Sequence, residues 1–236
     1  MKTPRSFSLH LALLPCFALL LSACASGPPP PDWQVEAKGA MERSIAAYMQ
    51  GNSRVEGVEL ARARSQLART GRADLLATAE LMRCASRVAS LVFESCTAFE
   101  HLRPDVSPAQ SAYAAYLQGQ ITPSSIDLLP PAQRASASAT TFVEASALKE
   151  ISDPLSQLLA AAVLLKTGKA SPAVMAQAAD TASNQGWRRP LLAWLGVQVQ
   201  YAEQQGELEE AARLRRRIHL VEGAELALKP VTKEVQ

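Results

Sequence analysis

The punctuation of this chain leaves little room for anything but helices. Ser107-Pro108, Asp153-Pro154 and Ser171-Pro172 each place a capping side chain directly before a proline. A Ser or Asp oxygen accepts from a free N–H of the first helical turn. Proline suits the first helical position, where the N–H it lacks has no intrahelical partner anyway. Gly51, Gly71, Gly119, Gly168, Gly186, Gly206 and Gly223 fall near the places where apolar periodicity stops, as glycines that end helices do. Between these marks the chain from Trp33 onward is rich in Ala, Leu, Gln, Glu and Arg, all strong helix formers. Sustained period-2 alternation and Asn-Gly hairpin turns are missing from it.

The expected fold is therefore all-α, with antiparallel helical hairpins stacked as a short solenoid or packed as an irregular bundle. The marks set helices over roughly 33–50, 53–70, 72–89, 95–103, 107–118, 131–150, 154–167, 172–185, 188–205 and 207–222. Leu155, Leu158, Leu159, Ala162 and Leu165 line one side of their helix, and Leu208, Ala211, Leu214, Ile218 and Val221 do the same near the C-terminus. The least regular stretch, 119–135 with Pro123, Pro130 and Pro131, is expected as a loop or hinge between two helical halves. The body is bounded at 33–223, with a tail over 224–236.

The N-terminus has the three parts of a secretory signal: Lys2 and Arg5, an apolar run from about Leu11 to Leu21, then Ser22 and Ala23 before Cys24. The apolar run is shorter than the roughly 20 residues a membrane-spanning helix needs, and Pro15 interrupts it. An ordinary signal cut near Ala23 or Ala25 is one reading. Leu21-Ser22-Ala23-Cys24, however, resembles the lipobox of bacterial lipoproteins. The resemblance implies diacylation of the Cys24 thiol, cleavage before it and acylation of the freed amine. In that family Ala25, in place of an acidic sorting residue, implies delivery to the outer membrane. Several acyl chains give stable anchoring where one gives only marginal binding. Residues 1–23 are then a removed signal, and 24–32, with Pro28 to Pro31, a lipidated, semi-rigid tether. Loss of Lys2 and Arg5 leaves 22 basic and 22 acidic residues, a balance with no electrostatic case for nucleic acid.

Cys16 lies in the signal and Cys24 at the lipobox, so Cys84 and Cys96 are the pair left for a disulfide, which persists in an exported protein. Twelve residues of continuous helix span about 18 Å, beyond disulfide reach. A bond therefore requires a break, expected at Leu91 to Ser95 with Ser95 as a helix cap. Two buried thiols are the alternative.

Trp194 to His219 resembles a tetratricopeptide hairpin: Tyr201 late in the first helix, Gly206 at the turn, Glu210-Ala211 early in the second. Ala40 to Thr70, with Tyr48, Gly51 and Ala61, is a weaker instance. Tyr113, Tyr116 and Gly119 form a third, whose second helix is interrupted by prolines. A clean 34-residue period and the closing proline of the last copy are both missing. The resemblance implies a tetratricopeptide-like body with a concave surface for a protein partner.

Catalytic groups do not stand out. His101 and His219 have no neighbour at metal-ligand spacing, and there is no nucleophile elbow or phosphate-cradling loop. No catalytic, cofactor or metal residue is assigned, and no enzymatic activity is expected. The clusters Arg62, Arg64, Arg69, Arg72 and Arg213, Arg215, Arg216, Arg217 read either as contacts to an acidic partner or lipid headgroups, or as solvated faces paired with glutamates, such as Glu209 with Arg213. Trp187, Trp194 and Tyr201 are core aromatics or an exposed patch. The expected function is an outer-membrane lipoprotein that faces the periplasm and scaffolds a protein partner. A structural envelope lipoprotein without a dedicated groove, and an enzyme or small-ligand carrier, are the alternatives.

Overall fold

Helix starts follow the capped prolines. In the computed structural model, which describes residues 29–228, Ser107, Asp153 and Ser171 accept from the backbone N–H groups of Gln110, Ser156 and Val174 at 3.2, 2.7 and 3.3 Å. Gln110 also reaches back to the Ser107 N–H, completing a capping box. Six of the marked glycines adopt positive φ at helix ends. Gly223 does not: it lies inside the last helix. The lipobox residues and the tail beyond Leu228 lie outside the described residues, and Pro29 to Pro31 are exposed without regular structure.

The helices are α1 (Asp32–Met49), α2 (Ser53–Ala68), α3 (Ala73–Ala89), α4 (Thr97–Glu100), α5 (Pro108–Leu117), α6 (Pro131–Ser138), α7 (Ala145–Lys149), α8 (Pro154–Lys166), α9 (Pro172–Asn184), α10 (Arg188–Gln204) and α11 (Leu208–Leu228), with 3₁₀ turns at Arg103–Asp105 and Pro123–Leu128. Among the described residues there is no strand, only an isolated parallel bridge between Val143 and Ala170. The fold is all-α.

Two expected helices are shortened. The one over 131–150 divides into α6 and α7 because β-branched Thr140, Thr141 and Val143 disfavour helix. The extended link is then pinned elsewhere: the Val143 N–H donates to the Lys169 carbonyl at 3.2 Å, and Lys169 Nζ donates to the Ala139 carbonyl at 2.5 Å. The one over 95–103 shrinks to α4, after which Pro104 sits in a 3₁₀ turn.

Long helices pack in chain order at both ends, α2 on α3 and α8–α9–α10–α11 in succession, while α3 lies directly against α8. The short elements between them cover these two: α5 packs on α3, α6 on α8. α8 is buried around its circumference rather than on one side, with Leu158 through Leu164 all in the core, as a helix enclosed by neighbours should be. Its Ala160-Ala161-Ala162 run lets those neighbours approach closely.

The last hairpins return to the first. Trp194, fully buried on α10, donates its indole N–H to the Ala89 carbonyl at the end of α3, 3.1 Å away. At the α1–α2 turn, the Tyr48 ring carries the Arg87 guanidinium at 4.5 Å and that of Arg189 from α10 at 4.1 Å. Arg87 also pairs with buried Glu56, joining α3 to α2.

The segment 119–135 is irregular, as expected, and is held by buried contacts. Leu129 is buried, and Arg134 donates to the carbonyls of Leu129 and Asp127, both at 2.9 Å. Buried Tyr116 donates its hydroxyl to Gln133 Oε1 at 2.7 Å and lies 2.7 Å from Ser136 Oγ. Burial pushes the Tyr116 phenol above its ordinary pKa, and the Ser136 hydrogen bond only partly offsets this. Above the unfolded value, about 10, the unfolded chain releases this proton while the folded one keeps it, so stability falls with rising pH. The group contributes up to about 1.4 kcal/mol of loss per pH unit in that range. Urea midpoints measured between pH 9 and 11 should drop, and Tyr116→Phe should remove its share of the slope; an unchanged slope would contradict the assignment.

Cys84 and Cys96 are joined at disulfide distance, their Cα atoms 6.0 Å apart and both side chains buried in the main core. The required break runs from Ser90 to Cys96, with Leu91 at φ 60°. Ser95 is not the cap: Cys96 holds that position, with no side-chain capping bond.

Candidate partner groove

α1, the end of α2 and the first turns of α3 converge on an open hollow of about 390 Å³. Trp33, Ala37 and Met41, spaced by four on one face of α1, form one wall. Leu67 closes the α2 side, and Leu75, Ala79 and Met82 of α3 form the floor. The polar lining residues Gln34, Lys38, Glu42, Arg72 and Thr78 are exposed and mark the rim. A second hollow of about 450 Å³ opens on the α5 side of α3. It shares Thr78 and Met82 with the first and adds Tyr113 and Leu128 through Pro130. Both volumes fall within the range of functional clefts, and apolar linings are typical of those.

α3 makes this site because it is apolar on two faces. Ala77, Leu81, Cys84, Ala85 and Val88 go into the main core, whereas Leu75, Ala79 and Met82 turn toward α1 and α2. Met82 remains 39% exposed and Leu128 43%. Gln110 secures α5 against α3: its side-chain amide donates to the Asp74 carbonyl at 2.7 Å and to Thr78 Oγ1 at 2.8 Å. The Thr78 hydroxyl donates in turn to the Asp74 carbonyl at 3.0 Å.

Charges around the first hollow are of both signs. Lys38 and Glu42 face each other at 3.9 Å and are largely exposed. Arg72 grips Asp74 at 2.6 Å and holds its carboxyl below the usual carboxylate range through that hydrogen bond. Arg64 donates through Nε and Nη2 to buried Glu80 at 2.5 and 2.6 Å, fixing α2 beside α3.

Arg62, Arg64, Arg69 and Arg72 of the first cluster, and Arg213 and Arg215 of the second, are paired. Arg62 meets Glu59 at 3.4 Å, and Arg69 meets Gln66 at 3.0 Å. Arg213 pairs with Glu210 rather than with Glu209, at 2.5 Å, and Arg215 pairs with Glu203. His219 lies 3.5 Å from Glu222 on an exposed stretch of α11, while His101 ends α4 far along the chain. Among the described residues no group of three or more His, Cys, Asp or Glu side chains could hold a metal ion. Trp194 is buried, and Trp187 and Tyr201 are partly buried against the main core, so the aromatic trio is not an exposed patch. In the α10–α11 hairpin Gly206 turns at φ 76° and Ala211 is fully buried. In the α1–α2 hairpin, Ala61 is exposed and Ala63 takes the buried position instead.

No known protein family, curated protein or solved structure matches this chain. Among the described residues no helix is long and apolar enough to cross a membrane. The groove beside α3 was not singled out from the sequence. Its signal is present there as Trp33-x₃-Ala37-x₃-Met41 and as the second apolar stripe of α3, Leu75, Ala79 and Met82.

Proposed function

We propose that this protein is a lipid-anchored helical scaffold of the bacterial envelope, tethered through Cys24 to the outer membrane and facing the periplasm, where it holds a protein partner. The single observation that carries the scaffold reading is the open, mainly apolar hollow between α1, α2 and α3, where Met82 stays 39% exposed and the polar lining groups stand at the rim. A contiguous apolar concavity of this kind marks an interaction site on a soluble body. The lipobox resemblance of Leu21-Ser22-Ala23-Cys24 supplies the anchor, and the proline-rich stretch after it supplies a spacer. A structural envelope protein lacking a partner site has less to recommend it, because nothing in that role calls for an uncovered apolar groove. No enzymatic role, cofactor or nucleic-acid partner is assigned.

Two measurements test this reading. Cys24→Ser should shift the protein almost entirely from the membrane fraction to the soluble periplasmic fraction; persistent membrane association would refute the anchor. Reversible crosslinking in cells should then recover one stoichiometric protein partner with the wild-type chain. Diffuse contacts with many envelope proteins would favour the purely structural role.

A further inference from the structure

We infer that the α1–α2 turn and the start of α10 together form a docking site for an acidic segment of a partner protein, whose carboxylates pair with Arg189 and Arg54. This surface is separate from the hollow beside α3. Two guanidiniums lie over the Tyr48 ring, and their surroundings differ. Arg87, at 4.5 Å, pairs with Glu56 and, at 3.0 Å, with Glu94, so its charge is offset. Arg189, at 4.1 Å, donates from Nη2 to Ser53 Oγ at 2.8 Å and meets no carboxylate among the described residues. It is nonetheless half-buried, and a charge held partly out of water is stabilised by a counter-charge. A guanidinium carries five N–H donors in a fixed plane, so the bond to Ser53 leaves most of them for a carboxylate, which fits that fork in two places at once.

The local charge is uncompensated on every side of Arg189. Arg54, next to the Ser53 contact, is exposed and has no ion pair among the described residues. The acid in the first turn of α2, Glu56, is buried and committed to Arg87. The first turn of α10 opens with Arg188 and Arg189 and contains no acid. Cations at a helix start oppose its dipole, and local rules of this kind are broken where function compensates for them. Arg188 is turned toward α11, its Nε donating to the Val221 carbonyl at 3.4 Å, so Arg189 is the one committed to the turn. Beside Arg54, Val55 and Val58 are 42% and 58% exposed. They continue the charged spot as an apolar strip along α2, which fits a segment whose acids are followed by an apolar side chain. The site lies about 24 Å along α1 from Trp33, where the chain enters from the tether. On the anchored reading that distance favours a protein carboxylate over the phosphate of a lipid headgroup.

The test places a photoreactive benzophenone side chain at Gln50, exposed in the α1–α2 turn, in the full-length chain, and irradiates intact cells. The expected result is an adduct to one protein segment that carries acidic residues beside an apolar one. Arg54→Glu, at an exposed position, should cut that adduct at least tenfold while circular dichroism stays unchanged. Replacing the facing acid of the captured segment with lysine should then restore it. Arg189→Lys, which keeps the charge and loses the planar fork, should cut the adduct several-fold. An adduct that survives Arg54→Glu would overturn the inference, as would adducts to phospholipid, to a second copy of this chain, or to a segment without acids. Absence of any protein adduct from Gln50 would overturn it as well, and would leave the hollow beside α3 to be decided by reversible crosslinking of the wild-type chain.

Discussion

Trp194→Ala should lower the unfolding free energy by about 3–5 kcal/mol, the range for emptying a large aromatic site in a core. Trp194 is fully buried, and its indole N–H bonds the Ala89 carbonyl across 105 residues of chain. The contact is more than local packing: it fastens α10, and with it the α9–α11 hairpins, to the end of α3. Trp194→Phe keeps most of the volume and loses chiefly the hydrogen bond, a loss of about 1–3 kcal/mol, so it should cost about 2 kcal/mol less than the alanine. Chemical denaturation of the three proteins checks both statements. Equal costs for Phe and Ala would mean that the hydrogen bond, not the buried volume, dominates.

Reduction of the Cys84–Cys96 bond should be the next largest effect. It closes a loop short enough that the chain-entropy estimate gives about 3 kcal/mol, or roughly 6–12 °C in Tm for a chain of this size. The bond also holds the 90–96 break, with Leu91 in left-handed backbone, against a core that includes Phe99 and Cys84. Thermal melts with and without reductant, compared with a Cys84→Ser/Cys96→Ser double variant, should show the same shift. A melt insensitive to reductant in protein shown by mass to be fully reduced would contradict this staple.

What could be read in the chain and what could not divides along a physical line. Helix starts at Pro108, Pro154 and Pro172, and stops at six glycines, are decided within a few residues by capping and by left-handed backbone. These were legible. Gly223 carries the same residue type, but an exposed helix tolerates a glycine, and α11 runs through it to Leu228. The division between α6 and α7 depends on Lys169 holding the link at Ala139 and Val143. The direct packing of α3 on α8 skips more than sixty residues. The α3–α8 packing has no local signature; the division does, in β-branched Thr140, Thr141 and Val143, which a reading of 131–150 as one helix overlooks. The bond between Cys84 and Cys96 was legible by elimination in an exported chain, and helix geometry then demanded a break between them; the capping residue was not legible, since Ser95 stands one residue before the helix cap. The groove was overlooked for a related reason. Met82 looks like an ordinary core residue until the fold leaves it 39% exposed.

The account turns on where the polypeptide begins after export and what its first side chain carries. The decisive measurement is the intact mass of the N-terminal proteolytic fragment from protein purified out of membranes. A mature chain starting at Cys24, with hydrocarbon on its thiol and amine, is the expected result. A fragment beginning elsewhere, or a Cys24 with a free thiol and no acyl mass, would contradict the tethered scaffold.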